Sequence, residues 1–89
     1  MDTIIDEPML LSPGRLRWAC RRGMLELDIL LESFLEKGYA RLSMEQKLVF
    51  QQLLDFPDQE LLELCLGKVQ AESDELQDVI EKIRLAVKS

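Results

Sequence analysis

The chain has 89 residues, 47% of them apolar and 31% charged, which is enough for one small core and too few for two. Eleven basic against seventeen acidic side chains leave a net charge of −6, which disfavours nucleic acid or an anionic membrane as the main partner, because phosphates demand an excess of Lys and Arg. Histidine is absent, which removes imidazole acid–base catalysis, Ser–His and Cys–His nucleophile pairs and most transition-metal sites, so neither an enzyme nor a metal centre is expected.

Residues 1–11 read as a flexible acidic tail, interrupted by Pro8, with Met9, Leu10 and Leu11 apolar enough to tuck against the body. They lack the basic start of a secretory signal and the basic character of a mitochondrial presequence, and no run of 18 apolar residues follows. A cytoplasmic protein of bacterial type is expected.

Residues 12–89 read as five short helices in one compact all-α bundle without a strand. Ser12-Pro13 is an N-cap followed by proline at the first helical position, opening a helix to about Arg22 that Gly23 stops or bends. The second helix covers about Met24 to Lys37 and ends at Gly38. Met24, Leu27, Leu30, Leu31, Phe34 and Leu35 recur on one face at helical spacing. Asp28, Glu32 and Glu36 form an acidic ridge beside them. Leu25 and Ile29 fall nearly opposite the core face, so either another helix covers them or they bind something.

Ser43-Met44-Glu45-Gln46 matches a capping box, opening a third helix to about Leu54 that buries Val49, Phe50, Leu53 and Leu54. Asp55-Phe56-Pro57-Asp58 breaks the chain. A fourth helix runs from about Pro57 to Leu66, with Leu61, Leu62 and Cys65 inward and Gly67 beyond its end. Ser73 caps the fifth, whose apolar stripe is Leu76, Val79, Ile80, Ile83 and Val87. Cys20 and Cys65 fall in apolar helical patterns without metal spacing and read as buried, reduced hydrophobes.

Charge is uneven along the chain. Arg15, Arg17, Arg21 and Arg22 place four of the eleven basic residues within eight positions, leaving seven basic against seventeen acidic elsewhere. Either they pair with acidic neighbours such as the ridge at Asp28, or they form a docking patch for an acidic partner, for which the planar guanidinium is better suited than lysine. Trp18, among them, is either an interface anchor or a core residue. A nucleic-acid regulator would rest on these arginines alone, against the net charge.

The stretch Trp18-Ala19-Cys20-Arg21-Arg22-Gly23-Met24-Leu25-Glu26-Leu27-Asp28 resembles the R-G-x-x-E signature of the succinate dehydrogenase assembly factor family, here Arg22-Gly23-Met24-Leu25-Glu26. Phe34-Leu35-Glu36 leading to Tyr39, Leu42-Ser43 and Phe50-Gln51-Gln52-Leu53-Leu54-Asp55 also resemble the family pattern, so the likeness covers about residues 15–67. Leu64 departs from it, since the family often carries tryptophan in helix four.

The resemblance implies a five-helix fold and a maturation role. Such proteins bind the flavoprotein subunit of succinate dehydrogenase, and in bacteria that of fumarate reductase as well, and promote covalent attachment of FAD to a histidine of that subunit. FAD would then belong to the partner, and this chain would bind no cofactor itself. The implied partner-binding residues are Arg22, Gly23 and Glu26, with Arg15, Arg17, Trp18, Arg21, Leu25, Asp28 and Ile29 as flanking contacts. Gly23 would let backbone approach the partner, Arg22 would donate and Glu26 would accept. The competing local reading makes Gly23 a helix-joint glycine and Arg22–Glu26 a salt bridge. A competing role is an antitoxin-like regulatory module that masks a basic partner with its acidic surface.

Overall fold

The computed structural model describes residues 10–88, which form five α-helices and no strand. They are α1 (Pro13–Ala19), α2 (Leu25–Lys37), α3 (Met44–Leu54), α4 (Asp58–Leu66) and α5 (Asp74–Lys88). Residues 1–9, most of the expected tail, lie outside the described residues. Leu11 does tuck in: it packs against the core, and its N–H donates to the Gln51 side-chain oxygen.

The helix starts follow local chemistry. Pro13 is the first residue of α1, and the Ser12 hydroxyl accepts from the Arg15 N–H. The capping box at α3 is complete, with Gln46 N–H donating to Ser43 Oγ at 3.1 Å and Ser43 N–H donating to Gln46 Oε1 at 3.0 Å. The Ser73 hydroxyl accepts from the Leu76 N–H at 3.2 Å to open α5. At the end of α4, Gly67 has φ +81°, the left-handed conformation that glycine adopts without a Cβ penalty. Gly67 N–H then reaches Leu64 O and Lys68 N–H reaches Glu63 O, satisfying two terminal carbonyls.

α2 packs chiefly on α5, and α5 also meets α3 and α4. The centre holds Leu27, Leu31 and Phe34 of α2, Phe50 and Leu53 of α3, Leu61 of α4 and Val79, Ile80 and Ile83 of α5. The Phe34 and Phe50 rings lie 5.2 Å apart and tilted, and the Tyr39 ring lies 5.5 Å from Phe50, also tilted. Cys20 and Cys65 are buried free thiols, as expected. Burial pushes their pKa values up to about 12 and about 11.

Several expectations need correction. α1 stops at Ala19 with Cys20 as its C-cap, not near Arg22, and α2 begins at Leu25. A joint of five residues, 20–24, therefore stands where a single glycine bend was expected. A 3₁₀ turn at Tyr39–Arg41 follows α2 and tucks Leu42 into the core. Val87 is exposed although it continues the apolar stripe of α5, and Ala86 is buried in its place. Val87 lies in the last turn of α5, and its spacing marks only a direction around the helix. Met24, Leu30, Leu35, Val49 and Leu76 are only partly buried, at the margin of the core. Leu64, where the family pattern often has tryptophan, is buried.

Candidate functional site

The joint between α1 and α2 is built by two carboxylates and one guanidinium. Asp28, one turn inside α2, reaches back over the helix start. Its Oδ1 accepts from the Arg22 N–H at 2.7 Å and its Oδ2 from the Gly23 N–H at 3.3 Å. A carboxylate there also suits the positive end of the helix dipole. Gly23 adopts φ +81°, which turns the chain into α2. A Cβ at Gly23 would meet no atom within 4 Å, so this backbone faces open space.

Arg22 goes the other way. Its side chain is only 15% exposed and pairs with Asp58, Nε to Oδ1, at 2.7 Å. The same guanidinium donates to the carbonyls of Ala19 at 3.2 Å, Leu54 at 2.6 Å and Phe56 at 2.8 Å. Ala19 ends α1 and Leu54 ends α3, so one cation serves two helix C-termini, while its partner Asp58 opens α4. α3 has no basic residue of its own in its last turn. The Arg22 side chain, expected to donate to the partner, is instead largely buried with Asp58 as its ionic partner, and the competing Arg22–Glu26 salt bridge does not form.

The other expected residues stand on the outside. Glu26, in the first turn of α2, is exposed, and its side chain has neither a hydrogen bond nor an ion pair among the described residues. Trp18 is 77% exposed, which settles the choice between core and surface, and Leu25 is 75% exposed. Ile29 is 50% exposed, so among the described residues no other helix covers the far face of α2. Leu25, Ile29 and Glu32 share that face at i, i+4 and i+7. Arg21 meets Glu32 at 3.7 Å, a loose pair between exposed groups that ties the end of the basic cluster to the acidic ridge. Arg15 and Arg17 are exposed, and neither side chain has an ionic partner among the described residues. The basic cluster thus divides, with Arg22 turned inward, Arg21 loosely paired, and Arg15 and Arg17 exposed without an ionic partner among the described residues.

Three groups that shape this joint escaped the sequence reading: Asp58, the corner carbonyls of Leu54 and Phe56, and Asp28 as the acceptor for the joint's N–H groups. The Asp55-Phe56-Pro57-Asp58 break held a usable signal. A helix end without its own cation leaves carbonyls that attract one, but which of eleven cations arrives is a matter of tertiary packing.

Among the described residues no group of His, Cys, Asp and Glu could hold a metal, and no helix is long and apolar enough to cross a membrane. No solved structure matches the chain significantly. A curated relative from Coxiella burnetii named FAD assembly factor SdhE is 49% identical over 80 residues, covering 90% of this chain and 95% of its own length. Proteins of the same name from Idiomarina loihiensis and Shewanella oneidensis are 45% and 41% identical, over 92% and 84% of this chain. The family model described as flavinator of succinate dehydrogenase matches residues 14–87, from the first turn of α1 to the last turn of α5. With the signature at Arg22-Gly23-Met24-Leu25-Glu26 and relatives matched over nearly their whole length, this chain belongs to the family of succinate dehydrogenase flavinators.

Proposed function

We propose that this protein is an FAD assembly factor that docks through its α1–α2 joint onto the flavoprotein subunit of succinate dehydrogenase and promotes covalent attachment of FAD to it. The observation that carries the docking site is the state of the signature residues. Gly23 presents bare backbone and Glu26 a carboxylate with no partner among the described residues, beside the exposed apolar side chains Trp18, Leu25 and Ile29. Exposed Trp and aliphatic side chains rimmed by charge have the composition of an interface core with a polar rim. Arg15, Arg17 and Arg21 supply the donors of that rim and Glu26 the acceptor.

The chemistry belongs to the partner. FAD is the group attached, and the attaching histidine must be the partner's, because this chain has none. A binding protein accelerates such a step by holding the client in the arrangement where the reacting groups meet, an effect of position. FAD itself is not a resident cofactor of this chain in this reading. In this reading the flavoprotein subunit of fumarate reductase is a second client, as the family resemblance implies. The cytoplasm is the compartment, in keeping with two buried cysteines that remain free thiols. The antitoxin-like reading finds no support in the comparisons.

The test is in-gel fluorescence of covalently bound flavin in the dehydrogenase subunit, from cells lacking this protein and from cells with it restored. Flavin fluorescence that depends on the protein supports the reading. Full flavinylation without it, under conditions where the subunit is made, overturns it.

A further inference from the structure

Within the signature, Arg22 differs in kind from Gly23 and Glu26. Those two face outward, whereas the Arg22 side chain is turned into the molecule and spends its donors on Asp58 and on three carbonyls from two other places in the chain. Its backbone N–H, and that of Gly23, are held by Asp28. The joint is thus clamped from both sides: Asp28 fixes the backbone to α2, and Asp58 fixes the side chain to the α3–α4 corner.

We propose that Arg22 is a positioning residue and not a partner contact, and that Asp58, at the start of α4, is its functional counterpart, holding the Gly23–Glu26 segment in its docking conformation. This rests on the docking site proposed above. The physical reason is pre-organisation. A five-residue joint freed from its clamp samples many conformations, and the partner would have to order it on binding. A fixed joint removes that cost. The guanidinium is the side chain that can do this, because its donors fan out in a plane toward several acceptors at once, where an ammonium offers a point charge.

Two measurements test it. The first is affinity for the purified flavoprotein subunit of succinate dehydrogenase. Asp58→Ala and Arg22→Ala should each weaken binding by about tenfold or more, and the double variant should be little worse than either, because both remove one clamp. Arg22→Lys should behave like Arg22→Ala. If Arg22 is instead a direct contact, Asp58→Ala frees it, so binding stays level or tightens, and either result overturns the proposal. Wild-type affinity in Arg22→Lys overturns it as well.

The second measurement needs no partner. Amide hydrogen exchange at Arg22 and Gly23 in the isolated protein should quicken about tenfold or more in Asp58→Ala while the amides of α5 keep their protection. Unchanged exchange at the joint overturns the clamp. Glu26→Ala should lose affinity with exchange unaltered, which separates contact from positioning. Should Asp58→Ala fail to fold, Arg22→Ala removes the other half of the same clamp, so the same quickening is expected at Gly23 and unchanged exchange there overturns the proposal. A wild-type protein that does not bind the subunit overturns the docking site, and the exchange measurement still decides the clamp.

Discussion

The ring of Phe34 occupies the space that a side chain at Gly38 would need: a Cβ built there falls 2.7 Å from Phe34 Cε1 and 2.9 Å from Cδ1. Gly38 has φ −128°, so the demand for glycine comes from this close approach and not from the backbone. Phe34 is buried against Phe50 and cannot swing away freely. Gly38→Ala should therefore destabilise by about 1–3 kcal/mol, the usual cost of overpacking a filled core. Gly14→Ala is the contrast, since no atom lies within 4 Å of its Cβ position in the first turn of α1. It should be neutral or stabilising by up to about 1 kcal/mol. Urea midpoints of the two variants measure both.

At Gly23 the demand is the reverse. There is space, but φ is +81°. Gly23→Ala should cost about 1–2 kcal/mol through backbone strain alone, and Gly23→Arg a similar amount, because the longer side chain points into solvent. Both should remain folded by circular dichroism. Gly23→Arg should abolish flavinylation of the partner, since a guanidinium then stands between the two surfaces. A Gly23→Arg variant that supports normal flavinylation would remove Gly23 from the interface.

Trp18 and Leu25 separate binding from stability. Both are about three-quarters exposed, so truncation to alanine opens no cavity, and the change in stability should stay within about 0.5 kcal/mol. If they anchor the partner, each truncation should weaken binding by about 2 kcal/mol or more in calorimetric titration of the flavoprotein subunit. Glu36→Ala, on the exposed acidic ridge, should be silent in both. Glu32→Ala loses the loose pair with Arg21 and should cost no more than about 1 kcal/mol of stability.

The two buried thiols make a pH prediction. Their ordinary pKa is 9.0, and in the folded protein burial raises Cys20 to about 12 and Cys65 to about 11. Above pH 9 the unfolded chain releases these protons while the folded chain keeps them. The unfolded state then binds fewer protons, so stability falls as pH rises. The stabilisation is complete below pH 9 and is lost progressively toward the folded values. Thermal midpoints from pH 8 to 11 should decline, and the decline should be shallower in Cys20→Ala, compared with its own value at pH 8. At pH 8 neither thiol should react with iodoacetamide until the protein unfolds.

What the sequence determined by itself was nearly everything that depends on near neighbours along the chain. The caps at Ser12, Ser43 and Ser73, the stop at Gly67 and the inward stripe of α2 from Leu27 to Phe34 are contacts across one or two helical turns, so spacing alone dictates them. The signature at Arg22-Gly23-Met24-Leu25-Glu26 was equally legible, and with it the family. The direction each of those residues faces depended on packing between distant parts of the chain. Arg22 turns inward because the carbonyls of α1 and α3 and the carboxylate of Asp58, 36 residues away, converge on one point. Trp18, Leu25 and Ile29 stay exposed because no other helix among the described residues covers them, and Val87 lies outside the core although its spacing points inward. Periodicity gives an angle around one helix axis, and whether another element lies in that direction depends on how distant parts of the chain pack, which no local pattern records.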